Sequence, residues 1–302
     1  LIAEGVVPAW MGGIADRLGA MEAPEPELFN LPDTTLVGGG TDLYVQQPHA
    51  MPNCPVLPAS RIPALHGIRI EDGTCSIGAA ETMSSLQHSA LLNDLLPGLH
   101  DFMAPVGSTQ IRNTATLAGN LVNASPIGDL TILFLALDSS LSLSNGREVR
   151  TVRLRDFYLG YKQLALQEGE CVQSLMFQLP SPEAGLHFER VCKRTYLDVA
   201  SVNSACLLEM GDDGTIQQIH LSMGGVAPIP KYLAETCSFF LGKTPDRTLV
   251  WKGIEVLQDE IAPISDIRGS ADYKRLLARQ QLLIHFSRLA PAFVDLKSLL
   301  GA

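Results

Sequence analysis

The stretch that decides the fold is Thr114-Ala-Thr-Leu-Ala-Gly-Asn-Leu-Val-Asn-Ala-Ser-Pro-Ile-Gly-Asp-Leu130, which carries a single charged side chain. Small polar residues alternate with aliphatic ones, and two glycines keep the backbone accessible. The Thr, Asn, Ser and Asp side chains offer hydrogen bonds, and the Leu, Val and Ile side chains offer apolar walls. This mixture favours a pocket for a large ligand that carries both phosphates and rings. A buried loop that satisfies its own backbone stays open as the alternative.

A second glycine-rich segment lies upstream, where the apolar pair Leu36-Val37 enters Gly38-Gly-Gly-Thr-Asp-Leu43. The segment fails the dinucleotide pattern G-x-G-x-x-G, because Leu43 stands where the third glycine is required. A strand that ends in a glycine turn still presents bare N–H groups that can cradle a pyrophosphate. Taken alone, the segment favours a plain tight turn over a phosphate site.

Composition and charge narrow the class of protein. The chain has 302 residues, of which 46% are hydrophobic and 18% charged, so a globular protein of two domains is predicted. The formal net charge is -10 and there is no stripe of Lys and Arg, so nucleic acid is not an expected partner. No apolar run reaches the roughly 18 residues of a membrane span, so none is expected.

The sequence predicts neither a catalytic side chain nor a metal ligand. The cysteines, at 54, 75, 171, 192, 206 and 237, form no C-x-x-C pattern, and none lies at zinc-ligand spacing from a histidine. They predict reduced thiols in the cytoplasm and leave no place for an iron–sulfur cluster on this chain. No nucleophile-elbow or paired-histidine pattern is present among the His residues.

The order of elements predicts an α+β chain rather than a regular βαβ wind. Residues 1–30 form a lead-in or linker, residues 31–182 mix helices and strands, and residues 183–302 form an antiparallel sheet followed by helices. Pro180-Ser-Pro182 marks the boundary between the two domains. The predicted elements are a turn-rich helical lead-in at 8–21, a loop over the acidic, proline-rich 22–27, strands within 54–80, helical structure over 81–103, a helix after Leu130, a hairpin at Asn145-Gly146, strands at 201–210 and 216–223, and helices at about 231–241, 246–262 and 271–289.

Taken together, the two motifs resemble those of a known family. Leu36–Leu43 and Thr116–Asp129 are similar to the flavin-binding motifs of the molybdenum hydroxylases, as found in the FAD domain of xanthine dehydrogenases and the medium subunit of carbon monoxide dehydrogenases. The likeness covers the chain from about residue 36 to its end. It implies a two-part FAD-binding domain of the vanillyl-alcohol-oxidase-like (PCMH) type and a small C-terminal domain of antiparallel sheet and helices. Further matching segments are Gln110–Asn113, Leu137–Leu143, Asp156–Tyr161, Gly169–Val172, Arg190–Arg194, Asp198–Ala200 and Gly224–Pro228.

The resemblance also implies which residues contact FAD. The glycine turn and Thr41 would bind the pyrophosphate, with Asp42 beside them, and the second motif would bind the phosphate, ribose and adenine side. Val106 and Gly107 stand where relatives often carry an aromatic near the flavin. Val172, Arg190 and Asp198 would lie near the isoalloxazine or its access loop. The implied cofactor-binding residues are Val37, Gly38, Gly39, Gly40, Thr41, Asp42, Val106, Gly107, Thr116, Gly119, Asn120, Val122, Asn123, Asp129, Val172 and Arg190.

The function implied by the resemblance is electron transfer in a xanthine dehydrogenase-like enzyme. Electrons would reach FAD from [2Fe-2S] clusters and leave to NAD, while molybdopterin lies on a partner. The cysteine-rich iron–sulfur domain that precedes the flavin domain in many relatives is not in this sequence, and residues 1–21 resemble a linker from such a domain. The domain is expected to be lost or to lie on another chain, and a molybdopterin-binding subunit is expected as a partner. The alternatives are the FAD subunit of a carbon monoxide, nicotinate or aldehyde-type dehydrogenase with another acceptor, and an assembly scaffold without flavin.

Overall fold

The computed structural model describes residues 1–21, 34–295, 297 and 299 of the chain. The predicted loop over residues 22–27 therefore lies outside the described residues. Nearer the N-terminus, a 3-10 turn and one short helix confirm the turn-rich lead-in.

The described residues form a mixed α+β architecture, as the sequence predicts. The strands, in chain order, are β1 (Thr35–Val37), β2 (Val56–Pro58), β3 (Ile68–Glu71), β4 (Thr74–Gly78), β5 (Ser140–Ser144), β6 (Val149–Arg153), β7 (Tyr158–Gly160), β8 (Gln163–Leu164), β9 (Cys171–Gln178), β10 (Gly185–Val191), β11 (Val202–Met210), β12 (Ile216–Gly224) and β13 (Lys231–Tyr232). The α-helices are α1 (Ile14–Gly19), α2 (Leu43–Gln46), α3 (Met83–His88), α4 (Ala90–Leu95), α5 (Leu99–Met103), α6 (Thr109–Thr114), α7 (Leu117–Val122), α8 (Asp129–Ala136), α9 (Leu154–Phe157), α10 (Ala234–Phe240), α11 (Arg247–Glu260) and α12 (Ala271–Leu289).

The first domain has two parts, and the two motifs lie where these parts meet. In the smaller part β1 pairs in parallel with β2, and β1 leads directly into the glycine turn. The larger part is an antiparallel sheet of five strands in the order β3-β4-β9-β5-β6. Between β4 and β5 the chain leaves this sheet through helices α3 to α8. The quoted stretch 114–130 belongs to this helical excursion, which brings it against the glycine turn.

Turn residues decide where the elements of the first domain begin and end. The helical spacing of residues 81–103 becomes three short helices, because Ser89 ends α3 and accepts a hydrogen bond from Leu92 N at 3.3 Å to start α4. Gly98, with φ of 90°, then turns the chain into α5. The predicted hairpin at Asn145-Gly146 is confirmed as the connection between β5 and β6.

Helix α8 is buried on all sides and joins the two domains. Seven of its 8 residues are buried, so it has no polar face. It packs on α7 and α9 of the first domain and on β11, β12 and β13 of the second. Across this contact the buried Ser222 hydroxyl donates to Ile132 O at 2.6 Å.

The C-terminal domain is the antiparallel sheet β10-β11-β12-β13 with helices α10, α11 and α12. The strands predicted at 201–210 and 216–223 and the three predicted helices are confirmed. Helix α10 begins later than predicted, because Lys231 and Tyr232 pair with β12 as β13. No helix within the described ranges has the length and apolar composition needed to cross a membrane.

Strand β11 is buried on both faces and belongs to two cores. Successive side chains of a strand point to opposite faces. Accordingly, Ala205 and Leu207 join the core of the first domain, whereas Cys206 and Leu208 join the core formed with α10, α11 and α12. The sheet of the second domain is thereby fixed against the first.

Candidate cofactor-binding site

The two motifs touch through bare glycine backbone. A Cβ atom on Gly39 would lie 1.8 Å from Thr114 O, and one on Gly38 would lie 2.4 Å from Thr116 Oγ1. Gly40 has φ of 67°, a conformation that disfavours any residue with a side chain. The turn therefore requires glycine at Gly38 and Gly39, where the second motif approaches closely, and at Gly40, where φ is positive. A plain tight turn would explain the positive φ but not the close approach of the second motif.

The motifs enclose a first cavity of about 350 Å³. Thr116 starts helix α7 at its wall by accepting a hydrogen bond from Gly119 N at 3.1 Å. Ten of the predicted FAD residues line this cavity. They are Val37, Gly38, Gly39, Gly40, Thr41, Asp42, Thr116, Gly119, Val122 and Asn123.

A second, more apolar cavity of about 220 Å³ continues from the first. The two share residues of both motifs, among them Gly38, Thr116 and Gly119. Beyond this shared wall, the second cavity is lined largely by aliphatic side chains, including the predicted Val172 and the buried Leu65. The continuous space thus has a polar middle and an apolar end, which suits a phosphate group bound between rings.

A third cavity, of about 500 Å³, adjoins the first on its other side and lies between the two domains. It shares Asp42, Asn123 and Lys162 with the first cavity. Its remaining lining comes from both domains: Ser125, Pro126, Ile127, Tyr161, Ser201, Gly225, Ala227, Pro228, Ile264, Asp266, Arg268 and Lys274.

The wall of the third cavity carries an excess of positive charge. The Lys274 side chain is only 3% exposed, and its Nζ lies 2.9 Å from Asp266 Oδ2. Arg268 Nη1 reaches the same oxygen at 3.2 Å. Although burial acts to raise it, hydrogen bonds from Lys274 and from the Arg268 backbone hold the pKa of Asp266 below its ordinary value. One ionised carboxylate therefore faces two cations, in a chain whose net charge is -10.

Lys162 was not among the residues singled out from the sequence. It occupies the turn between β7 and β8, and its Nζ donates to Asn123 O and, at 2.8 Å, to Asn123 Oδ1. From the other side Gln46 Nε2 approaches Asn123 Oδ1 at 3.5 Å and donates to Asp42. The sequence signal nearest this turn was Asp156–Tyr161, a segment that resembles the molybdenum hydroxylases but stops one residue before Lys162.

Several predicted FAD residues lie outside the first two cavities. Asp129 is 12% exposed and faces the domain interface, where Arg190 Nη2 approaches its Oδ2 at 3.4 Å and Asn203 Nδ2 donates to its Oδ1 at 2.7 Å. Burial raises the pKa of Asp129, against the opposing effects of Arg190 and Asn203. Asn120 Oδ1 accepts from Thr131 Oγ1 at 3.3 Å. In this structure Asp129 and Arg190 hold the domains together, rather than lining the space between the motifs.

Val106 and Gly107 lie in a turn whose carbonyl groups are held by two arginines. Arg112 Nη1 donates to Ala104 O at 3.0 Å, Val106 O at 3.2 Å and Gly107 O at 3.0 Å. Arg190 Nη1 donates to the intervening carbonyl of Pro105 at 3.0 Å and its Nη2 to Asp198 O at 2.9 Å. The Val106 side chain itself is buried in the hydrophobic core of the first domain.

The fold and cleft define a protein that holds an elongated nucleotide-like cofactor between the two parts of one domain. Glycines whose Cβ atoms would collide with the facing motif, and a capping threonine beside them, fit a pyrophosphate cofactor such as FAD. In the described part of the chain, no group of three or more His, Cys, Asp or Glu side chains is placed to hold a metal ion.

Comparison with known proteins agrees with this assignment. Residues 21–181 match the family model described as the FAD binding domain in molybdopterin dehydrogenase. Residues 188–288 match the CO dehydrogenase flavoprotein C-terminal domain. The chain belongs to this family of flavoproteins and is an FAD-dependent oxidoreductase component of the molybdenum hydroxylases.

Individual relatives carry different activities in their names. The chain is 24% identical to the nicotinate dehydrogenase FAD-subunit of Eubacterium barkeri, over 80% of this chain and 82% of that one. It is 25% identical to xanthine dehydrogenase 1 of Arabidopsis thaliana over 80% of its length, but spans only 19% of that protein. The crystal structure of the Cu,Mo-CO dehydrogenase in its cyanide-inactivated form contains a chain with 27% identity and a TM-score of 0.77, covering 84% of this chain and 89% of that one.

Proposed function

We propose that this chain binds FAD and passes electrons from iron–sulfur clusters to NAD, as the flavin component of a xanthine dehydrogenase-like molybdenum hydroxylase. The clusters and molybdopterin would lie on partner domains or subunits. The observation that carries the proposal is the continuous space between the two motifs, in which the glycine turn faces Thr116 and an apolar cavity follows. When bound, FAD accepts electrons one at a time and releases two together as a hydride.

The arrangement of the three cavities suggests how the cofactor is oriented. The acceptor must reach the reacting ring, and the third cavity adjoins the first at Asn123 and Lys162. With the acceptor in the third cavity, the flavin end of FAD would lie toward Asn123, and the second cavity would hold the adenine end. Val172, which the resemblance places near the isoalloxazine, lines the second cavity. The backbone of residues 38–41 binds the pyrophosphate between the two ends.

The third cavity supports a dinucleotide as the acceptor. It is large enough for a ligand at about 500 Å³, and its wall presents Lys162, Arg268 and Lys274 against Asp42 and Asp266. Cationic side chains at a partly buried wall favour an anionic ligand such as the phosphates of NAD. Both domains line the space, so the second domain would bind the acceptor while the first binds FAD.

The relatives leave the substrate and acceptor open between xanthine, nicotinate and carbon monoxide enzymes, because similarity to each is of the same order. The two cations that share the single carboxylate of Asp266 would attract the phosphates of a dinucleotide more than they would an uncharged acceptor. A scaffold without flavin would have no use for the two connected cavities that lie beside the contact between the motifs. These two observations favour the FAD and NAD proposal over its alternatives.

Two measurements on the purified chain test the proposal. The protein should be yellow or bind added FAD stoichiometrically, and a chain that does neither would refute the flavin role. Without oxygen, NADH should then bleach the bound flavin. Persistent colour would exclude NAD and favour another acceptor.

A pair of variants localises the acceptor. Arg268→Gln should weaken the binding of NADH about 10- to 100-fold, because a charge-assisted hydrogen bond is lost from the third cavity. The FAD content should stay unchanged, because the first two cavities are not altered. Arg247→Gln, at the exposed start of α11, is the matched control and should leave both unchanged. Equal NADH affinity in the two variants would contradict the placement of the acceptor.

A further inference from the structure

Lys162 occupies a position that its local backbone alone does not favour. It lies in the turn between β7 and β8 with φ of 58°, a region that residues with side chains adopt at a cost. Ala124, next to the Asn123 that Lys162 contacts, also has a positive φ, at 51°. Unfavourable backbone on both sides of one contact indicates that the surrounding fold holds this contact in place.

The charge of Lys162 is distinctive within the first cavity. Among the described residues that line this cavity, Lys162 is the one with a cationic side chain and Asp42 is the one with a carboxylate. Without Lys162 the lining would carry a net negative charge, within a chain of net charge -10. A pyrophosphate brings two further negative charges to the same small space, so its binding would then be opposed by repulsion.

The present partner of Lys162 is easily exchanged. Its Nζ donates to the backbone and side-chain oxygens of Asn123, which are neutral acceptors at an exposed position. An ammonium group has three donors, so one can turn to an anion while others keep the Asn123 contact. An anionic phosphate oxygen adds a Coulomb attraction to the ammonium group that the neutral oxygens of Asn123 do not provide. The long, flexible lysine stem allows the exchange without movement of the turn.

Resting on the proposed FAD function, we infer that Lys162 binds the pyrophosphate of the cofactor and closes the first cavity over it through Asn123. The glycine turn supplies backbone donors from one side, and Lys162 supplies the compensating positive charge from the other. Lys162 is thus a cofactor-binding residue contributed by a hairpin remote in sequence from both motifs. Its role is affinity for the phosphates, and it leaves recognition of the rings to the apolar walls.

The inference is tested by titrating the FAD-free protein with FAD and following the quenching of FAD fluorescence. At about 0.05 M salt, Lys162→Gln should weaken the binding of FAD about 10- to 100-fold, which corresponds to the loss of one charge-assisted hydrogen bond. Lys162→Arg, which keeps the charge, should stay close to the original protein. At about 1 M salt the difference should shrink, because the exposed cation is screened.

Competition by fragments of the cofactor shows which part Lys162 contacts. ADP should compete less well in Lys162→Gln, whereas adenosine should compete equally in both proteins. Lys252→Gln, an exposed position on α11, is the matched control and should leave FAD binding unchanged.

The inference is overturned if Lys162→Gln binds FAD as the original protein does, if the loss of FAD affinity is not shared by ADP, or if only NADH binding to the FAD-loaded protein falls. Absence of FAD binding in the original protein would instead refute the proposed function. The two failures are therefore distinguishable.

Discussion

Replacing Gly39 by alanine should separate the two motifs and release FAD. The added Cβ would lie 1.8 Å from Thr114 O and 2.8 Å from Ala115 N, whereas real Cβ atoms essentially never approach closer than 3.0 Å. Both obstacles are backbone atoms, which cannot rotate away, so the two segments must move apart by about 1.2 Å, the difference between 3.0 and 1.8 Å. The φ of Gly39 is not in the left-handed region, so the effect isolates the steric clash.

The magnitude follows from what this displacement breaks. Forcing a methyl group into a packed contact lowers the free energy of unfolding by about 1–3 kcal/mol. Losing one backbone hydrogen bond to a charged phosphate costs about 1.5–3 kcal/mol, so the Kd for FAD should rise about 10- to 100-fold. FAD titration gives the Kd, and urea unfolding of the FAD-free protein gives the stability change separately.

Gly19→Ala is the matched control. Its Cβ would meet nothing within 4 Å, so stability and FAD affinity should not fall. The reasoning is refuted if Gly39→Ala binds FAD with unchanged Kd, or if Gly19→Ala loses as much affinity.

Substitutions at three further positions test the domain interface and the second domain. Asp129→Ala removes the carboxylate that faces Arg190 Nη2 and accepts a hydrogen bond from Asn203 Nδ2, and should lower the free energy of unfolding by about 3–5 kcal/mol in urea titrations at neutral pH. Burial, with a smaller contribution from His187, holds the pKa of His285 well below its ordinary value. As the pH drops below about 6.5, His285 therefore binds a proton in the unfolded chain but not in the folded protein, and the free energy of unfolding falls. His285 should therefore account for about 1.4 kcal/mol of the stability lost between pH 7.5 and 5.5, and His285→Gln should remove that part of the pH dependence. Asp246→Ala removes the side chain that caps α11 and should cost about 1 kcal/mol in the same assay, whereas Asp246→Asn should be close to neutral.

Sequence reasoning succeeded where the determining residues are close together in the chain. The hairpin at Asn145-Gly146 and the strands on either side of Gly211–Gly214 follow from local turn chemistry and alternation. Ten residues that line the first cavity were named from the family resemblance of two short segments, whereas Lys162, from the turn between β7 and β8, was not. The meeting of the motifs was known only from the family resemblance, since no local pattern brings Gly39 to Thr114.

Other features could not be predicted, because they are assembled from distant segments. The third cavity combines Asp42 with Tyr161, Gly225 and Lys274, and no spacing in the sequence links them. Asp129 illustrates the converse. Its place in the second motif suggested a cofactor contact, but only the tertiary structure shows that Arg190 and Asn203 lie opposite it.

Strand β11 and helix α8 have a consequence for how the chain acquires its structure. Each lends apolar surface to both domains, so neither domain could be cut away at Pro180–Pro182 without exposing hydrophobic groups of the other. The two family models meet near this point in the sequence, yet strand β11 contributes side chains to both hydrophobic cores. The chain should therefore gain and lose its structure in one cooperative transition, and the boundary that is plain in the sequence is not a boundary in folding.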